Sequence, residues 1–99
     1  MNDSNIVSAK AIIGDKIKNN EDQLIGELKE LLVDPAQGKV EYGVVSVGGV
    51  MGVGAKQIAV PYEALVFHSE GYFSLNVDKE TLDKATSTID YNGKTYFIY

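Results

Sequence analysis

The chain has 99 residues, a net charge of −5 and no cysteine. That length makes one domain, and the lack of cysteine excludes disulfides, thiolate metal sites and a cysteine nucleophile. All nine basic residues are lysine; an acidic chain without arginine disfavours nucleic acid as its main partner. The longest uncharged run, residues 42–55, is studded with glycine and falls short of the ~20 apolar residues a spanning helix needs. The first five residues are polar and lack the basic-then-apolar order of a signal peptide. A soluble, cytoplasmic protein with no membrane span is expected.

Residues 1–5 read as a frayed tail. Ser8 is placed to cap one helical turn over 9–13, with Gly14 to stop it and Ile12 and Ile13 over one end of the core. Residues 16–18 alternate as a short strand, and 19–22 form a polar turn. Residues 26–33 contain good helix formers, but the segment is short and lies between Gly26 and Asp34-Pro35, which favours a strand. Its alternation breaks at Glu30-Leu31, where a bulge is expected. Residues 34–38 supply a turn with proline and glycine in their preferred places, so 26–33 and 39–47 make a hairpin. In the second strand Val40, Tyr42 and Val44 share one face while Val45 and Val47 share the other, which predicts cover on both sides.

A glycine-dense loop, 48–54, leads to a strand over 56–60. Gly49, Gly54 and Lys56 approach a phosphate loop, but the lysine is displaced, no hydroxyl residue follows it, and a strand stands where a helix is required. Glycines permitting a tight crossover explain the pattern better. Val50, Met51 and Val53 form either an apolar tip for a partner or a piece of core. Residues 61–63 turn the chain into a strand over 64–68, and Glu70-Gly71 reverses it into 72–77. Leu65, Phe67, Phe73, Leu75 and Val77 are expected inside; Val66, His68, Tyr72, Ser74 and Asn76 outside. Asp78 is placed to cap a helix to about Ala85, with Val77 and Leu82 spaced as a staple. Asn92-Gly93 is a strong type I′ hairpin signal, pairing Tyr91 with Lys94, Asp90 with Thr95 and Ile89 with Tyr96. Such a hairpin is marginal alone and must lie on something.

Residues 7–82 resemble a PRC-barrel domain, the small β-barrel of reaction-centre H subunits and of the ribosome maturation factor RimM. The pieces that carry the resemblance are Ser8-Ala9-Lys10, Ile13-Gly14, Gly26-Glu27-Leu28, Val33-Asp34-Pro35, Gly38-Lys39-Val40-Glu41-Tyr42, Val45-Ser46-Val47-Gly48-Gly49 and Val60-Pro61-Tyr62-Glu63-Ala64-Leu65. They are most similar to the free-standing prokaryotic members, and neither the membrane helix of a reaction-centre H subunit nor the second N-terminal domain of a RimM-like protein is expected. The expected fold is all-β: a six-stranded barrel over 1–85 with short helices at its ends, and a C-terminal hairpin over 86–99 packing on the barrel or on a partner subunit. The family has no shared catalytic residues, so the resemblance implies an adaptor or binding role.

The leading expectation is therefore a non-enzymatic interaction module, self-associating as a homodimer, with no catalytic residue, cofactor or metal. Val50, Met51, Val53, Tyr91, Tyr96, Phe97 and Tyr99 are its candidate partner-binding residues. One alternative is an accessory factor docking on a ribosomal or RNA-processing assembly, by analogy with RimM. Another is a small-ligand or metal carrier, for which Tyr62, Glu63 and His68 are the only plausible polar cluster. The lone histidine reads better as an edge-strand residue, and Asp34 as a turn former.

Overall fold

The computed structural model describes residues 5–48 and 54–99. Helix α1 (Ala9–Ile12) opens the chain. Ser8 caps it through its carbonyl, which accepts from the Ala11 amide at 2.9 Å, and not through its hydroxyl. Gly14, at φ +99°, turns the chain so that its amide reaches the Leu28 carbonyl at 2.7 Å. Ile12 is buried, whereas Ile13 is exposed and does not cover the core.

Strand β1 (Lys16–Lys18) is short but central: it pairs antiparallel with β2 (Leu24–Asp34) and parallel with β6 (Tyr72–Leu75). The turn before β2 is organised by buried Asn19, whose Oδ1 accepts from the amides of Glu21 and Gln23, both at 3.0 Å. This is Asx-type chemistry that replaces ladder hydrogen bonds where the chain reverses.

Strand β2 is extended throughout, and its register with β3 (Lys39–Val47) slips twice, between Leu28 and Glu30 and between Leu32 and Val33. The break expected at Glu30-Leu31 is thus two irregularities flanking that pair. A further slip against β1 skips Ile25, so that Ile25 and Leu28 serve one face of the sheet, while Leu32 packs on the other. Strand β4 (Lys56–Pro61) follows β3, and a 3-10 turn (Tyr62–Ala64) leads to β5 (Leu65–His68), which forms a hairpin with β6.

The main core lies on one face of this sheet. Ile17, Leu28, Val45, Ile58, Phe73 and Leu75 meet there, under Leu82 of helix α2 (Lys79–Asp83). Val77 packs against the same core, and the Asp78 carbonyl, not its carboxylate, accepts from Thr81 and Leu82 to start the helix. A second, smaller core forms on the opposite face, where Val44 and Ala59 meet Tyr96. Val44 and Val45 are both fully buried, so β3 is covered on both sides as its sequence predicts.

The cover is the C-terminal hairpin of β7 (Thr88–Tyr91) and β8 (Lys94–Ile98). Its register is Tyr91 with Lys94, Asp90 with Thr95 and Ile89 with Tyr96, turned by left-handed Asn92 and Gly93. Strand β8 then pairs parallel with β4, Ile58 with Phe97 and Ala59 with Ile98. The result is one eight-stranded sheet in the order β5-β6-β1-β2-β3-β4-β8-β7. The six strands expected of the barrel are β5-β6-β1-β2-β3-β4, and the hairpin extends them at the edge of β4; among the described residues no ladder joins β4 to β5.

Lys56 has a structural task here. Its ammonium donates to the carbonyls of Asp83, at 2.8 Å, and Ala85, at the end of α2, and sits 4.5 Å from the Phe97 ring centroid. A cation at a helix C-terminus satisfies carbonyls that have no intrahelical donor. Lys56→Met should lower the unfolding free energy by roughly 1–2 kcal/mol, the low end for charged hydrogen bonds because the site is partly exposed. Urea unfolding would read this, and an unchanged midpoint would show that the α2 end needs no cation.

Candidate interaction surface

The residues singled out in the sequence fall into three groups. Val50, Met51 and Val53 lie outside the described residues. Tyr96 and Phe97 are taken up by the chain's own fold: Tyr96 is 3% exposed in the second core, and Phe97 packs against the main one. Alternation along β8 puts these neighbours on opposite faces of the sheet. Tyr91 and Tyr99 remain outside, 42% and 47% exposed.

The structure does not assemble Tyr62, Glu63 and His68 into a cluster. Tyr62 and Glu63 belong to the 3-10 turn before β5, and His68 closes its far end. Tyr62 meets Phe73 edge-on, at 6.5 Å between centroids. His68 stacks flat on Tyr72 at 4.3 Å, and its Nε2 lies 2.7 Å from the Ser74 hydroxyl. Both partners flank it across the β5–β6 hairpin, so its ring is held in a sheet-surface contact.

Strand β5 is one end of the sheet. It pairs with β6 alone, and among the described residues its outer edge has no backbone partner. Val66 is 55% exposed, and Phe67, expected inside, is 43% exposed with its ring edge-on to Phe73. The alternation that placed Phe67 inward is correct about the face, but the end strand runs beyond the core that would cover it.

At the other side, the tip of the β7–β8 hairpin bends over the end of the β2–β3 hairpin and leaves an open groove of about 670 Å³. Tyr42 and Tyr91 stand together there with centroids 5.9 Å apart and planes tilted by 42°. The neighbouring Tyr42 hydroxyl, then burial and the charge of Glu41, push the Tyr91 phenol above its ordinary pKa. Glu30 sits at the inner end, accepting from the Tyr96 hydroxyl at 3.0 Å and 3.6 Å from the Lys94 ammonium. No local signal in the sequence joins Tyr42 to Tyr91; only the hairpin's docking does so.

A mostly antiparallel eight-stranded sheet with two short helices and, among the described residues, no helix long and apolar enough to cross a membrane defines a small all-β domain. The chain belongs to the PRC-barrel family: the family's PRC-barrel domain matches residues 4–82. Among solved structures it is similar to RimM from Pseudomonas aeruginosa, described as a 16S ribosomal RNA processing protein, with 18% identity and a TM-score of 0.49. That match covers 81% of this chain and 50% of the other, so the chain spans half the length of that structure. No curated protein matches the sequence.

Proposed function

We propose that the protein is a non-enzymatic interaction module that self-associates and recruits a further protein. The observation that carries this reading is β5, an end strand whose outer edge is unpaired among the described residues and whose Val66 and Phe67 are exposed. An unpaired row of amides and carbonyls is a template for another strand, and sheet edges that must stay single usually carry lysine, proline or an inward charge. Leu65-Val66-Phe67-His68 has none of the three. Pairing of β5 with β5 of a second copy would bury both apolar side chains about a two-fold axis.

Light scattering coupled to size exclusion tests this. The wild-type chain should give a dimer mass, and Val66→Lys, a change at an exposed position, should give a folded monomer. A monomer mass independent of concentration in the wild type would remove the proposal. Deleting 87–99 is a poorer test, because it strips Tyr96 from the second core and destabilises the fold itself.

A further inference from the structure

The groove between the two hairpins has a chemistry the β5 edge lacks. Its walls include Tyr42, Tyr91 and Val33, and its charged lining residues are the carboxylates Glu30, Asp34 and Glu41, with no cation among them. Two close phenol rings present electron-rich faces, the natural seat of an ammonium or guanidinium. Lys18, Lys56 and Lys94 lie over other rings, those of Tyr72, Phe97 and Tyr96, and among the described residues no lysine lies over Tyr42 or Tyr91. Lys39 approaches Glu41, and Lys94 approaches Glu30, each at 3.6 Å with both ammonium ends exposed. Such surface pairs contribute little and yield readily to a competing cation.

We infer that this groove receives a lysine- or arginine-bearing segment of a partner protein, with a cationic head against the Tyr42–Tyr91 pair and its aliphatic stem along Val33. The volume of about 670 Å³ exceeds what one free cation fills and suits a short stretch of chain. A second copy is the poorer occupant of this groove, because the chain has no arginine and more acidic than basic residues, and so offers no strongly basic segment to fill it. The inference concerns the recruiting half of the proposed function and stands apart from the β5 contact, so either can fail without the other.

Fluorescence anisotropy with the full chain provides the test, using labelled arginine–valine, lysine–valine and glutamate–valine repeat peptides. Both basic peptides should bind saturably, more weakly as salt rises, and the acidic peptide should not bind. Tyr91→Ser and Glu41→Gln, at exposed positions, should each weaken binding about two- to fivefold. Glu70→Gln, in the exposed β5–β6 turn, should leave affinity unchanged, and so should Val66→Lys. Equal weakening by Glu70→Gln would reduce the effect to general charge attraction and overturn the site. Absence of saturable binding, or free arginine amide binding as tightly as the peptides, would overturn the assignment to a protein segment.

Discussion

Tyr96→Ala should cost the protein about 3–5 kcal/mol of unfolding free energy, as for other large aromatic residues removed from a core. The ring is 3% exposed and seals Val44 and Ala59, with Leu32, Tyr42, Ile89 and Ile98 packed around it. Domains of this kind hold only about 5–15 kcal/mol in all, so the loss would be a large share. Tyr96→Phe keeps the packing and gives up only the hydrogen bond to Glu30, so it should cost about 1 kcal/mol. Urea unfolding separates the two variants by their midpoints, with the slope unchanged if the unfolded state is unaffected. A loss under about 1 kcal/mol in Tyr96→Ala would mean that the hairpin is an ornament on a core stable without it.

The same residue sets a pH dependence. Burial first, then the hydrogen bond to Glu30 and its charge, raise the Tyr96 phenol above its ordinary value of 10.0, with Lys94 opposing. The fold therefore prefers the neutral phenol more than the unfolded chain does. Its contribution is complete below pH 10 and is lost as pH climbs through the raised value. Tyr99, through burial, and Tyr91, through the Tyr42 hydroxyl and burial, shift the same way. The melting temperature should fall above pH 10, and less steeply in Tyr96→Phe than in the wild type. Parallel curves would place the alkaline loss elsewhere.

Gly26→Ala should destabilise by about 1–3 kcal/mol, the range for overpacking, although it adds a single methyl group. Its backbone is not left-handed, so conformational strain is not the reason. The added Cβ would run into the Ser46 carbonyl oxygen and lie 2.9 Å from Val45 Cγ1. Neither can retreat, since both belong to β3, which is held between β2 and β4. Gly43 offers a useful contrast: a Cβ there would meet the tip of Leu65 at 2.6 Å and of Leu28 at 3.2 Å, ends of flexible side chains that can turn aside. Thermal unfolding should rank Gly26→Ala as the more damaging of the two. The reverse order would mean that the β2–β3 spacing is looser than the register implies.

Gly26 shows how far the sequence could be read. Beside Asp34-Pro35 it looks like a boundary, yet β2 begins at Leu24 and carries Gly26 inside it, because close approach of a neighbouring backbone leaves no local trace. The hairpin at Asn92-Gly93 is the opposite case. Its turn type and all of its expected pairs could be read off a few residues, since a left-handed pair dictates the register of its own flanks. Two-sided cover of β3 was legible from adjacent valines, whereas the identity of the covering element was not. Tyr96 and Phe97 read in the sequence as residues that pack either on the chain's own barrel or on a partner, because aromatic residues in a tail carry no sign of which surface they will meet.

Within this family, then, the order of extended segments, the turns between them and the two-faced character of β3 were written locally, in alternation and turn chemistry that act over a few residues. The tertiary structure alone decided that β8 joins β4 in parallel, that Tyr96 closes a second core, that Tyr42 meets Tyr91 across a groove, and that β5 ends the sheet with Phe67 half outside. Those contacts link segments far apart in the chain, and their selection follows from the total apolar surface the whole chain can bury, a quantity no single stretch contains.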